Sequence, residues 1–139
     1  MKKRGMRYFI VFISSWLAGY LALRLHWAVH MGIKVGQDEL RVVLISFVVL
    51  ELLSLLVYAP AMVAVAKMIS TARRPQVQIV AALVLGFVVP TLGALRFSHF
   101  NVFSSYYYFR AWNVYLYFGT FSLVFALGWI WAERLGGKD

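Results

Sequence analysis

Cysteine is absent from this chain of 139 residues, acidic residues number five and prolines three. The first absence excludes disulfides, thiolate metal sites, iron–sulfur clusters and thiol chemistry. The shortage of acids leaves no pair of intramembrane carboxylates for general acid/base work of the glycosidase or protease kind. No G-x-S-x-G, no H-E-x-x-H and no phosphate-binding glycine loop is present either. A chain so equipped is expected not to be an enzyme and to need no cofactor. Neither Asn101 nor Asn113 opens an N-x-S/T sequon. Internal repeats, low-complexity tracts and long linkers are also missing, which leaves room for one domain.

What is abundant is apolar. Hydrophobic residues make up 63% of the chain and charged residues 14%, against roughly half and a quarter in a soluble domain. The net charge of +9 would suggest nucleic acid in a soluble protein. Here the bases sit at the ends of apolar runs, where they set topology and meet anionic headgroups, so nucleic acid is not an expected partner.

The runs cover residues 8–29, 42–66, 77–95 and 111–132. The second (VVLISFVVLELLSLLVYAPAMVAVA) spans roughly 37 Å as a helix, enough to cross a bilayer core of about 30 Å with some tilt. The expected fold is therefore all-α: an integral membrane bundle of four transmembrane helices. The basic start, Met1–Arg7, followed by an apolar run has the outline of a signal peptide. The run is too long for one and no small-x-small site follows, so it reads as an uncleaved first span. Termini and second loop carry nine Lys/Arg, the first and third loops four. The positive-inside rule then puts both termini in the cytoplasm. The short basic N-terminus, without transit-peptide character, suits a bacterial inner membrane. Between the third and fourth spans, Phe97, Phe100 and Phe103 alternate with polar residues, which suggests a short aromatic helix lying in the headgroup plane.

Small residues recur at helical spacing on three spans: Ser15, Gly19 and Ala22 with His26; Ala82, Gly86, Pro90 and Gly93; Tyr115, Gly119, Ser122 and Ala126. Such faces let neighbouring helices approach closely. Pro60 and Pro90 each remove one backbone hydrogen bond and are expected to bend their helices.

Glu51 is the sharpest chemical signal. With Val42 at the outer boundary it lies about 14 Å deep, near the bilayer midplane. A carboxylate there costs about 2.5–3.5 kcal/mol even on lenient insertion scales, so it needs a partner, a water-filled cavity or a proton. Ser54 and Tyr58 follow at i+3 and i+7 and extend a polar stripe. One reading is a proton or cation relay; the other is a carboxyl that fixes helix packing. Arg24 is a candidate partner for Glu51, though its side chain also reaches the outer headgroups by snorkelling. His26 and His30, at i and i+4, have a spacing that suits two ligands of one metal, with His99 as a third or as an axial haem partner. The bland reading is two solvated imidazoles near a membrane surface. The eleven aromatics of residues 97–118 form either a platform for a sugar or an isoprenoid-linked substrate or, more simply, an interfacial belt and protein–protein surface.

Three functions follow from these features. The first is a non-catalytic subunit or modulator of a membrane complex, acting through helix packing. The second is a homo-oligomeric transporter or channel for an ion, a proton-coupled solute or a lipid-linked substrate, built on Glu51. The third, more remote, is a haem- or metal-binding redox membrane protein.

Overall fold

In lipid every backbone N–H and C=O must be satisfied within the segment, so long apolar runs become helices. The computed structural model describes residues 3–30, 39–97 and 111–136, and these are helical almost throughout, with no strand among them. Helix α1 covers Lys3–His30 and α2 Glu39–Leu53. A π-helical turn, Ser54–Tyr58, joins α2 directly to α3, Ala59–Met68. Helices α4, Arg74–Phe97, and α5, Trp112–Gly136, complete the chain. Four stretches among the described residues are long and apolar enough to cross a membrane: Gly5–His30, Glu39–Met68, Arg74–Arg96 and Trp112–Gly136. The protein is thus a multi-pass membrane protein. The proposed aromatic helix falls mostly on residues 98–110, outside the described residues.

The helices outrun the apolar stretches. The first starts at Lys3 rather than Tyr8, the second at Glu39 rather than Val42, and the last runs to Gly136 rather than Ala132. A helix has no reason to stop where its side chains turn polar, because its hydrogen-bond ladder continues into the headgroup layer. At Pro60 the hydrogen-bond ladder of the second span is disturbed by a widened turn. It lies at the start of α3, and the Ala59 N–H reaches back to the Ser54 carbonyl, a five-residue step. Pro90, by contrast, sits inside an uninterrupted α4.

Helix α5 is the hub. It packs along α1 and α4, while α2 leans on α1 and α3 on α4. Its inward face buries Tyr117, Phe121, Phe125, Ala126 and Trp129. The π turn carries Tyr58 into this face, with its ring edge-on to Phe121 and Phe125 at 5.1 and 5.5 Å. Phe12 stacks on Phe125 at 5.8 Å, and Tyr8 meets Trp129 at 4.7 Å. Those contacts place the start of α1 beside the end of α5.

Close approaches occur at three glycines. A Cβ on Gly19 would meet Phe121 Cβ and the Tyr117 carbonyl at 3.1 Å; one on Gly86 would lie 2.4 Å from Ser122 Oγ; one on Gly128 would lie 3.0 Å from Val11. Glycine at 19 and 86 lets α1 and α4 approach the α5 backbone closely, and Gly128 makes room for the Val11 side chain.

Hydroxyl groups join the helices by one repeated device. Ser122 donates its proton to the Phe118 carbonyl at 2.6 Å, so its free lone pair accepts from the Tyr58 hydroxyl at 2.8 Å. Thr91 donates to Phe87 O at 2.7 Å and accepts from Tyr115 at 2.8 Å. Ser46 donates to Val43 O at 2.9 Å and accepts from the Trp16 indole N–H at 3.2 Å. In each case the hydroxyl proton is spent on its own helix and an aromatic donor crosses from the next. These bonds tie span two to four, four to three, and one to two. Tyr58→Phe removes the cross-helix bond and leaves the ring packing. It is expected to destabilise the bundle by about 1 kcal/mol, read from unfolding in mixed micelles. A change as large as that of a core truncation would mean that the hydroxyl has another task.

Candidate functional site

Polar residues gather at three levels. At one end of the bundle Arg24 Nε lies 3.0 Å from Glu39 Oε1. The Tyr20 hydroxyl donates to the same carboxylate oxygen, and Arg24 also lies over the Trp27 ring at 5.9 Å. Both charged groups are largely buried, at 15% and 22% exposure. The first turn of α2 thus supplies the anion that the first span's arginine needs. Arg24 is paired with Glu39, at the start of the second span, and not with Glu51 further along it. The reason is vertical: Arg24 sits in the last two turns of α1, level with the start of α2, whereas Glu51 lies about three turns deeper.

His26 and His30 stack at 4.6 Å at this end, and His30 Nδ1 faces the His26 carbonyl at 3.3 Å. If Nδ1 carries the proton, it donates to that carbonyl, and Nε2 is then the free acceptor on His30. With Ala22, Trp112 and Leu116 they line an apolar hollow of about 340 Å³ between α1 and α5. No group of three or more metal-ligating side chains occurs among the described residues. His99, the third member of the metal or haem reading, lies outside them.

At the middle level the stripe Glu51, Ser54, Tyr58 divides. Ser54 and Tyr58 are fully buried. Ser54 donates to the Leu50 carbonyl at 2.8 Å, and Tyr58 is engaged with Ser122. Glu51 is only partly buried. Its Oε1 is enclosed yet finds no hydrogen-bond partner among the described residues. Val48 and Leu55, one turn to either side, are 53% and 54% exposed. The carboxyl group therefore sits at the seam between the packed face of α2 and its lipid face.

At the opposite end, where α1 begins and α5 ends, Glu133 accepts from the Trp129 indole at 2.9 Å and from Gln78 Nε2 at 3.2 Å. Gln78 is fully buried. Nothing in the apolar periodicity singled out Gln78; the only signal was an amide at the edge of the third apolar run, one turn into α4.

Among the small-residue positions, Gly19, Gly86 and Pro90 are buried, the two glycines against α5. Gly93 and Gly119 have open space where a Cβ would stand. The comparison with known proteins adds nothing to this geometry: no family model, curated protein or solved structure matches the chain.

Proposed function

We propose that this is a non-catalytic subunit or modulator of a membrane complex, which binds another transmembrane helix through the outer face of its second span. The observation that supports this reading is Glu51. Its enclosed Oε1 is the one atom of the polar stripe left without a partner among the described residues. It lies on the helix that packs least closely into the bundle, flanked by the lipid-facing residues Leu44, Val48, Leu52 and Leu55. A carboxyl group at that depth is stabilised when a neighbouring helix brings a hydrogen-bond donor to it. The close-packing glycines 19 and 86 are already used against α5 and are not free for a partner.

In this reading both termini face the cytoplasm of a bacterial inner membrane, where the basic second loop meets anionic headgroups. A transport relay through Glu51 is less well supported, because Ser54 and Tyr58 are bonded to Leu50 and Ser122 and form no chain with the carboxyl.

Co-purification from native membranes tests the proposal. Glu51→Gln keeps the shape and hydrogen-bonding capacity, and should retain a stoichiometric partner chain. Glu51→Leu should lose it while the bundle itself stays folded. Retention by the leucine variant would refute docking through Glu51. Pure homo-oligomer with pH-dependent flux that the glutamine variant abolishes would establish the transporter instead.

A further inference from the structure

We propose that the cavity where α4 begins and α5 ends binds a glycerophospholipid headgroup, through its phosphate and a hydrogen-bond donor beyond the phosphate. The cavity holds about 400 Å³ and is lined by Thr71, Arg74, Gln78, Ile130, Glu133 and Arg134. That size is within the range of small-molecule sites. Two of the lining residues each carry a polar atom buried without a partner among the described residues: Arg74 Nε, a donor, and Gln78 Oε1, an acceptor. Gln78 is 0% exposed, so this acceptor has no recourse to solvent. Its own amide N–H₂ is held by Glu133 Oε2, which fixes the carbonyl oxygen in place.

An orphan donor and an orphan acceptor in one hollow define a ligand with the opposite pair. The acidic oxygens of a phosphate suit Arg74 and the neighbouring Arg134. An ammonium or hydroxyl group beyond the phosphate suits Gln78 Oε1, with the Glu133 carboxylate beside it. Ethanolamine and glycerol headgroups carry both parts. Choline carries the phosphate but has no N–H to donate. The site also lies at a helix end, four residues past the start of the third span, which is the depth of headgroups. The proposal is independent of the Glu51 reading, since it concerns the other side of the bundle and a different helix pair.

Native mass spectrometry of the full chain in detergent, titrated with single lipids, tests it. Phosphatidylethanolamine is expected to bind about tenfold more tightly than phosphatidylcholine of the same chains, because only the former satisfies Gln78. The two have equal net charge, so bulk electrostatics does not separate them. Gln78→Leu should abolish that preference, Arg74→Gln should weaken binding of both lipids about tenfold by removing the phosphate partner, and Lys67→Gln, which removes a charge from an exposed site, should leave both affinities intact. Equal affinity of the wild-type protein for the two lipids would overturn the proposal without recourse to any variant. Equal loss in the Lys67 and Arg74 variants would also overturn it, by reducing binding to surface charge. Glycerophosphoethanolamine and inorganic phosphate are the competitors. Neither should displace the lipid at equimolar concentration; displacement by phosphate alone would assign the cavity to a soluble anion and refute the lipid.

Discussion

Truncating Phe125 to alanine is expected to destabilise the bundle by about 3 kcal/mol. The ring is fully buried and touches Phe12, Tyr58, Phe121 and Trp129 at centroid distances of 5.8, 5.5, 5.9 and 5.7 Å. It is the point at which spans one, two and four meet. In a bilayer the unfolded helices already sit in an apolar medium, so little of this cost is transfer from water. What is lost is contact: an aromatic-sized void whose lining atoms have no partner on one side. Leu127→Ala supplies the comparison. Leu127 is on the same helix and 51% exposed, facing lipid, and its truncation should stay within about 0.5 kcal/mol. Reversible unfolding in mixed micelles measures both. Equal effects would mean that α5 is not the hub.

The second large effect has the opposite form, since it adds one methyl group. In Gly86→Ala the new Cβ would stand 2.4 Å from Ser122 Oγ and 3.1 Å from both Ser122 Cβ and the Phe118 carbonyl. Rotating the serine hydroxyl away relieves only the first contact, and it breaks the bond to Phe118 and the one from Tyr58. The helices must part or the polar link must go. Overpacking of this kind costs about 1–3 kcal/mol, and the lost hydrogen bonds add to it. Alanine's better helix propensity returns about 1 kcal/mol, so a net loss of about 2 kcal/mol is expected. Two controls fix the cause. Gly86→Ala with Ser122→Gly should recover most of the loss, as contacting residues couple. Gly93→Ala, where no atom of the described residues lies within 4 Å, should be neutral or slightly stabilising. A loss at Gly93 equal to that at Gly86 would show that backbone flexibility, not close approach, is what these glycines supply.

That contrast between glycines also marks how far the sequence could be read. Hydropathy gives the four spans without ambiguity, because twenty apolar residues in lipid have little choice but to be helical. Spacing placed Gly86 and Gly93 on one face of the third span and Gly119 and Ser122 on one face of the fourth. It could not say at which level two faces touch, and contact falls at Gly86 against Ser122 and not at Gly93 or Gly119. The same gap separates Arg24 from its partner. Helical phase put the arginine on a side of its own helix, but only the packing of α2 against α1 brings Glu39 to it. Pro60 announced a disturbed ladder, and the sequence does not say whether the slack becomes a kink or a π turn. The turn chosen matters, because it rotates Tyr58 into α5 and so detaches it from Glu51. The stripe that looked continuous in sequence is two separate features in space.

Glu51 remains as the group on which the functional reading depends, and the absence of native cysteine makes it directly accessible to test. A single cysteine at Val48 or Leu55, carrying a photoactivatable probe, samples the surface on either side of the carboxyl in intact native membranes. The measurement is which protein chain is captured at these two positions, against Leu92→Cys on the lipid face of the third span. Expected is one defined adduct with a foreign membrane chain at Val48 and Leu55, lost when Glu51 is changed to leucine and absent at Leu92. Lipid alone at all three positions, or an adduct that survives the loss of the carboxyl, would contradict docking through the second span.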